Sequence, residues 1–359
     1  MRHSRGRVVE VDTTGDLDRR LDAGARTLRG WRLRSLDLRG RGDDLGRCRV
    51  AGAMFLGCRF DEGVEAELEE RGAIVFPTLP DVPLDSYRSR LYTARELYGE
   101  GPYADSLDAR AYAWTESGPD HDGLLAAALH DHAVDEALAA WVAGRSVVGV
   151  MGGHALLRDQ PAYAEAAQLG RLLAGRHTVA TGGGPGAMEA ANLGARVAGD
   201  PVEAFDAVLA RVAAVPDYRT GIGAWARAGL DALDPASATT DTLGIPTWHY
   251  GHEPPNVFAS AIAKYVRNAV REAVLLEICD AGIVFLPGAA GTVQEVFQDA
   301  CENYYADPAS VAPMVLVGRE HWTRTLPVWP LLQHLARGRA MEPHVHLVDS
   351  VEEAAEVVG

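Results

Sequence analysis

Two glycine-rich turns in this sequence have the composition of phosphate-binding loops. One spans residues 182–186, after the strand-like residues 177–181, and the other spans residues 287–292, after the apolar residues 281–286. A helical pattern follows each turn. The start of a helix offers unpaired backbone N–H groups and the positive end of its dipole, and both attract an anion. The sequence therefore predicts two turns that bind phosphate, although glycines that serve only packing in ordinary strand–helix turns are the alternative.

Side chains with reactive groups accompany the second turn. Thr292 could add a hydroxyl donor, and Glu295 lies about one helical turn further on. A carboxylate in that position faces whatever the turn binds. It could stabilise positive charge that develops on the bound molecule, or deprotonate an attacking water.

The elements that position these turns alternate between strand and helix. Apolar segments of strand length recur at residues 146–151, 177–181, 281–286, 313–317 and 345–348. Helical patterns separate them, among them 162–174, 187–198 and a long one over 257–277. This alternation predicts a parallel sheet with right-handed crossovers, which is an α/β, doubly wound, Rossmann-like fold. Gly152 and Gly153 end the first strand and would form a third wall of the ligand crevice.

Other nucleotide-binding and catalytic motifs are absent or weak. The chain has no G-x-x-x-x-G-K-[ST] and no G-x-S-x-G, which excludes P-loop hydrolysis and that type of serine nucleophile at the level of motifs. Residues 182–187 fit a loose G-x-G-x-x-A fingerprint, with Asp200 or Glu203 as the ribose-binding acid. A dinucleotide-dependent enzyme is therefore one alternative. His249 and His252 lack the H-E-x-x-H spacing, and no metal is expected.

Charge and cysteine content limit the expected partners. With 359 residues and a net charge of −16, the chain is not expected to bind nucleic acid or an anionic membrane, whereas a small anion needs only local donors. None of the four cysteines forms a CxxC pair, and no apolar run reaches the length of a membrane span, so we expect a cytoplasmic protein. Lys264 is the single lysine, which leaves one candidate for any Schiff base.

The first 120 residues differ in pattern from the rest. They mix short strand and helix patterns and end in a loop rich in Gly, Pro, Asp and Ser. We therefore expect an additional N-terminal α+β region at 1–120 and the nucleotide-site domain at 121–359. Between residues 43 and 60, large and small side chains recur every five residues. This spacing resembles the pentapeptide repeat, and chance periodicity within a pair of strands is the alternative.

The two turns together resemble the motifs of the LOG family. Residues 182–188 (GGGPGAM) are similar to its GGGxxGLM turn, and residues 287–295 (PGAAGTVQE) are similar to its PGGxGTxxE turn. Between the turns, Arg271 matches the arginine of the family's R-K-x-x-M run. The resemblance covers roughly residues 145–350, and residues 253–256 also resemble the larger bacterial nucleotide 5′-monophosphate nucleosidases.

The resemblance implies a phosphoribohydrolase, which cleaves the N-glycosidic bond of a nucleoside 5′-monophosphate and releases the base and ribose 5-phosphate. Members are often misnamed lysine decarboxylases. By this resemblance Glu295 and Arg271 are the catalytic residues, no metal or cofactor is required, and a homodimer or larger homo-oligomer is expected. The residues that would bind the phosphate and the nucleotide are Gly152, Gly153, Gly182, Gly183, Gly184, Gly186, Met188, Gly288, Ala289, Ala290, Gly291 and Thr292.

Four positions depart from the family motifs, and the first is Ala187, which replaces the leucine of the family's GLM run. Ala289 stands where the family has the second glycine of its PGG turn, and a left-handed backbone there would cost an alanine about 1 kcal/mol or more. Gln294 replaces a common glutamate, and Glu272 replaces the lysine that follows the arginine. A nucleotide-binding or sensing protein without turnover is therefore the main alternative. A pyridoxal-phosphate decarboxylase is disfavoured, because nothing around Lys264 suggests a cofactor site.

Overall fold

The chain forms two compact units, seen in a computed structural model. The residues that the structure describes are 8–233, 240–249 and 253–359. The first unit comprises Met1–Arg90 and Glu116–Ala137, and the second comprises Leu91–Thr115 and Leu138–Gly359. No helix in the described residues is long and apolar enough to cross a membrane.

The first unit repeats a strand followed by a helix. Its strands are β1 (Val9–Val11), β2 (Trp31–Arg34), β3 (Met54–Leu56) and β4 (Ile74–Phe76), and the helices between them are α1 (Thr14–Asp22), α2 (Gly42–Gly46) and α3 (Val64–Glu70). All four strands are parallel and lie in sequence order. Because Val9 pairs with Trp31 and Arg32 pairs with Met54, the first three strands repeat every 22 residues.

The apolar core of the first unit has the same 22-residue period. Leu33 and Phe55 occupy equivalent buried places, and so do Leu28 and Val50. The five-residue spacing between residues 43 and 60 falls on helix α2 and strand β3, not on one coil of a square β-helix. Inward side chains recur every two residues along a strand and every three across its turns, and five is the sum of the two intervals.

The second unit contains a seven-stranded parallel sheet. Its strands are β5 (Val147–Met151), β6 (Thr178–Thr181), β7 (Leu243–Gly244), β8 (Ala261–Ile262), β9 (Ile283–Phe285), β10 (Met314–Val317) and β11 (Val345–Val348), in the spatial order β11-β10-β9-β5-β6-β7-β8. Strand β5 pairs with β6 on one side and with β9 on the other. Strands β6, β7 and β8 therefore extend the sheet on one side of β5, and strands β9, β10 and β11 then extend it on the other side. This arrangement confirms the predicted doubly wound α/β fold.

Helices flank the strands of the second unit. Its helices are α4 (Ala94–Tyr98), α5 (Leu107–Glu116), α7 (Pro161–Leu173), α8 (Ala187–Arg196), α9 (Val202–Ala213), α10 (Ile222–Ala232), α11 (Asn268–Glu277), α12 (Ala290–Tyr305), α13 (Val328–Ala336) and α14 (Val351–Val358), whereas most residues of α6 (His121–Val142) belong to the first unit. The prediction of a helix over 257–277 is wrong in its first half. Those residues include β8, which pairs with β7, so sheet pairing overrides the helical pattern there.

Helices α7 and α8 touch through their backbones at two glycines. A Cβ atom on Gly194 would lie 2.6 Å from the carbonyl carbon of Ala167, and one on Gly170 would lie 2.8 Å from that of Ala191. Real Cβ atoms do not approach backbone so closely. Helix α8 begins at the 182–186 turn, so this contact also fixes one wall of the site described below.

We expect Gly194→Ala to destabilise the protein by about 2 kcal/mol or more, because the added methyl group must push two helix backbones apart. Urea unfolding of the purified variant measures the loss. Gly15→Ala is the matched control, since Gly15 is also helical and its Cβ would meet nothing within 4 Å. That control should be neutral or slightly stabilising. Equal stability of the two variants would contradict the assignment.

Candidate active site

Three turns meet at the carboxyl ends of β5, β6 and β9. The Gly153 N–H donates to the carbonyl oxygen of Pro287 at 3.2 Å, and the Ala187 N–H donates to the carbonyl oxygen of Gly153 at 3.1 Å. The turn after β5 is thus bonded to the turn after β9 and to the start of α8. Parallel sheets form their ligand crevices where the order of strands reverses, and that reversal lies between β5 and β9.

The turn after β6 needs glycine at two positions. Gly183 has φ +72° and Gly186 has φ +76°, a left-handed conformation that other residues adopt only with strain. Space is also lacking. A Cβ on Gly183 would lie 2.9 Å from the Ile245 nitrogen, and one on Gly186 would lie 2.9 Å from the carbonyl carbon of His154. Met188 packs against the same turn, since its Sδ lies 2.8 Å from where Gly182 would carry a Cβ.

Asn256 holds this turn from the other side. Its fully buried side chain donates to the carbonyl oxygen of Gly184 at 3.3 Å and to Oδ1 of Asn192 at 3.0 Å. Its own Oδ1 accepts from the backbone N–H groups of Phe258 and Ala259, each at 3.1 Å. A buried hydrogen-bond network in which every member is satisfied is rigid, so the turn is held in one conformation.

The turn after β9 leads directly into α12. That helix begins without a side-chain cap, so its first backbone N–H groups have no partner within the helix. Ala289 precedes the helix with φ −116° and ψ −144°, outside the left-handed region. The alanine that replaces the family's glycine is therefore accommodated without backbone strain. Ala289, Ala290 and Gly291 are exposed, which leaves this helix end open to an anion.

His321 supports the same turn and was not predicted from the sequence. Its Nε2 donates to the carbonyl oxygen of Gly288 at 3.1 Å, and its ring packs edge-on against Trp322. The contact fixes the peptide group that precedes Ala289. No sequence motif marks His321, because it lies some thirty residues after the turn and reaches it only through the fold.

Arg271 lies between two carboxylates. Its Nη1 is 3.3 Å from Oε2 of Glu272 and 3.7 Å from Oε1 of Glu295, and all three side chains are almost buried. Arg271 also faces the first turn, since Nη1 lies 3.7 Å from where Gly182 would carry a Cβ. Neither Nε nor Nη1 of the guanidinium has a hydrogen-bond partner. The arginine is therefore held by charge and keeps donors for a ligand.

The pKa of Glu295 is raised to about 8, because burial raises it more than Arg271 lowers it, and Glu272 and Glu253 contribute to the rise. A carboxyl group in such surroundings is mostly protonated at neutral pH. Strongly shifted acids collect in catalytic clefts, although structural clusters shift them too. Glu272, which stands where the family has lysine, thus raises the pKa of Glu295, and the two carboxylates share the guanidinium of Arg271.

A second buried carboxyl group lies one turn further along α12. Burial raises the pKa of Asp299 to about 8, with a smaller contribution from Glu302. Its Oδ1 accepts a long hydrogen bond of 3.4 Å from Asn303, and its Oδ2 has no partner. Asp299 shares the helix face of Glu295 and lies one turn further from the glycine turn at the start of α12, so it serves below as a matched control.

His154 and Glu253 form a pair at the mouth of the crevice. The His154 Nδ1 is 3.4 Å from Oε1 of Glu253, and both side chains are partly exposed. Glu253 also reaches the first turn, with Oε2 3.5 Å from where Gly184 would carry a Cβ. The position of His154 directly after Gly153, at the end of a buried strand, is the sequence signal that could have identified it.

Lys264 has a structural role in a buried ion pair. It is fully buried, and its Nζ donates to Oδ1 of Asp108 at 2.5 Å. The same carboxylate accepts from Nε1 of Trp248 at 2.9 Å and from the Tyr103 hydroxyl at 2.7 Å. This cluster ties the segment around α5 to the loop that carries Glu253. A lysine enclosed in this way has no open site for a cofactor aldehyde.

The structure brings the sequence-predicted residues of the three turns, together with Arg271 and Glu295, to one edge of the sheet. Gly152 and Gly153 line it from β5, the 182–188 segment from β6, and the 288–292 segment from β9. In the described residues, no group of three or more His, Cys, Asp or Glu could hold a metal ion. His252, considered above with His249, lies outside the described residues.

Comparison with known proteins identifies the central part of the sheet. Residues 145–202, which contain β5, β6 and the first glycine turn, match the family model of SLOG cluster4. Over these residues, the match agrees with the sequence resemblance at the level of a SLOG/LOG-type family. A search of the curated proteins finds no match.

Solved structures with similar folds are more distant. They include the molybdenum cofactor binding protein of Rippkaea orientalis, with 18% identity and a TM-score of 0.38 over 60% of this chain and 95% of that one. A structural-genomics target named TM1055 has 22% identity and a TM-score of 0.38, over 59% and 98% of the two chains. The molybdenum cofactor carrier protein of Chlamydomonas reinhardtii has 18% identity and a TM-score of 0.37, over 60% and 96%.

We expect Glu272→Gln to lower the pKa of Glu295 by about half a unit or more, because Arg271 would then face one carboxylate instead of two. The side-chain carboxyl resonance of Glu295 in ¹³C-labelled protein, identified by its loss in Glu295→Gln, should titrate near pH 8 in the unaltered protein. A midpoint that stays the same or rises in Glu272→Gln would refute the shared ion pair.

We expect Asp299→Asn to gain stability relative to the unaltered protein as pH rises. The folded pKa of Asp299 is raised to about 8 from a reference of 3.8, so the folded state binds the extra proton throughout this range. The stability that this bound proton gives to the folded protein is fully present below about pH 4 and is lost as pH rises through about 8. Urea unfolding at pH 5, 6, 7 and 8 measures the difference, and a difference independent of pH would contradict it.

Proposed function

We propose that this protein hydrolyses the N-glycosidic bond of a nucleoside 5′-monophosphate to give the free base and ribose 5-phosphate. The observation that carries the proposal is the pairing of Arg271 with Glu295 beside an uncapped helix start. The match of residues 145–202 to a SLOG family supports nucleotide-related binding or processing in general. The catalytic step is inferred from the chemistry of the site.

The open end of α12 suits the 5′-phosphate. Its free N–H groups belong to exposed residues, and the helix dipole adds partial positive charge at the same place. Thr292 lies within this first turn and is buried against Gly288, so a side chain at Gly288 would displace it. Arg271 offers a planar fork of donors to the remaining anionic groups of the nucleotide.

Glu295 supplies the group that the reaction requires. Breaking the bond between C1′ and the base nitrogen builds positive charge on the ribose ring, as in other glycoside hydrolyses. An ionised carboxylate stabilises that charge and accepts a proton from the attacking water, whose oxygen bonds to C1′. Since the pKa of Glu295 is raised to about 8, only a minority of the free protein is ready to act at neutral pH.

We expect the purified protein to release free base and ribose 5-phosphate from at least one of AMP, GMP, CMP and UMP. Glu295→Gln should reduce turnover by about a thousandfold or more, because it removes both the charge and the proton acceptor. Asp299→Asn is the matched control, a buried carboxyl group with a similarly raised pKa on the same helix face, and it should keep turnover within a few fold.

Three results would count against the proposal. Tight nucleotide binding without turnover would indicate a nucleotide sensor of the same fold. Binding of NAD(P) together with no release of ribose 5-phosphate would favour the dinucleotide-dependent alternative. Equal loss of turnover in Glu295→Gln and Asp299→Asn would show that Glu295 acts only through stability. The homo-oligomer implied by the family resemblance stays a prediction, which light scattering tests.

A further inference from the structure

We propose that His154, oriented by Glu253, is the general acid that protonates the leaving base. This assignment rests on the proposed function and adds a second catalytic residue to it. Cleavage of the C1′–N bond requires catalytic groups at both the sugar and the base, since a purine or pyrimidine anion is a poor leaving group. Glu295 serves only the sugar and the water, so the base requires a separate proton donor.

His154 occupies the right place in the fold. It follows the buried strand β5, which lies where the strand order reverses. Its neighbour Gly153 is hydrogen-bonded both to Pro287 and to Ala187. The carbonyl carbon of His154 lies 2.9 Å from where Gly186 would carry a Cβ. His154 therefore stands where the two glycine turns meet, and its side chain remains half exposed.

Glu253 gives the imidazole a defined orientation. The carboxylate lies 3.4 Å from Nδ1, where it pairs with the proton on that nitrogen. Nε2 then carries the proton that can be transferred. A carboxylate that orients a catalytic histidine through Nδ1 is the arrangement of many acid–base pairs. Glu253 faces the crevice as well, because its Oε2 lies 3.5 Å from where Gly184 would carry a Cβ.

The other titratable groups around the crevice are engaged elsewhere. Glu272 is buried against Arg271 and accepts from Asn268. His321 donates its Nε2 proton to the carbonyl oxygen of Gly288. Among the described residues at this edge, His154 is the group with a transferable proton and an exposed ring.

The proton balance of the step is complete. The C1′–N bond breaks, and the nitrogen of the base keeps its electron pair. The base then accepts the proton from Nε2 of His154. Water adds its oxygen to C1′ and gives a proton to Glu295. The protonated Glu295 and the neutral His154 then return to their starting states by exchanging one proton with solvent, so no other reactant is consumed.

The test compares a leaving base that needs a proton with one that already carries positive charge. The substrates are GMP and 7-methylguanosine 5′-monophosphate, assayed at a single mildly acidic pH where the methylated ring is cationic. We expect His154→Ala to lower kcat/KM for GMP by about a hundredfold and to change it less than about threefold for the methylated substrate. Glu253→Gln should show the same preference with a smaller loss.

His334→Ala is the control for a general effect of removing a histidine, since His334 is exposed on α13 and away from the crevice. It should leave both substrates unaffected. Equal losses for the two substrates in His154→Ala would overturn the assignment and indicate a structural role, and so would no loss for either. If the unaltered protein cleaves neither substrate nor the other nucleotides, the proposed function fails and this assignment fails with it.

Discussion

The position of strand β5 is the constraint on which the site depends. Because β5 pairs with both β6 and β9, three chain segments that are far apart in sequence end at one edge of the sheet. Each segment turns sharply there, and hydrogen bonds from Gly153 to Pro287 and from Ala187 to Gly153 join the turns. Glycine is required where these backbones touch, so the motif reflects packing as much as ligand binding.

Charge around Arg271 is the second constraint. One guanidinium faces Glu272 and Glu295, and Glu253 adds a third carboxylate to the same region. Burial and repulsion together favour the protonated form of Glu295, whereas a lysine at position 272 would favour the ionised form. The departure from the family motif at this position therefore alters the acidity of the proposed catalytic group and leaves the backbone of the site intact. The alanine at 289 also leaves the backbone of the site intact, because its own backbone is not left-handed.

Buried polar networks hold the loop that closes the site. Asn256 bonds both to the first glycine turn and to its own loop, while Asp108 accepts hydrogen bonds from Lys264, Trp248 and Tyr103. Breaking one partner of such a cluster leaves another buried and unpaired, which is costly. The single lysine of the chain is thus explained by structure. The name lysine decarboxylase, often given to proteins of this type, finds no support in its surroundings.

The sequence by itself determined the alternation of strands and helices and both glycine turns, because apolar periodicity and turn composition are local properties. Glu295 became a candidate through its place one helical turn after the second glycine turn and Arg271 through the family resemblance, and both roles stay predictions. The sequence-based prediction failed over 257–267, where pairing with β7 overrides a helical pattern. Over 43–60 it left two interpretations open, and the structure places helix α2 and strand β3 there. Only the tertiary structure placed His154 beside Glu253 and His321 beside Gly288, and only it showed Arg271 shared between two buried carboxylates. Those contacts join residues that are distant in sequence, and the burial that shifts the pKa of Glu295 exists only once the sheet and its helices have packed.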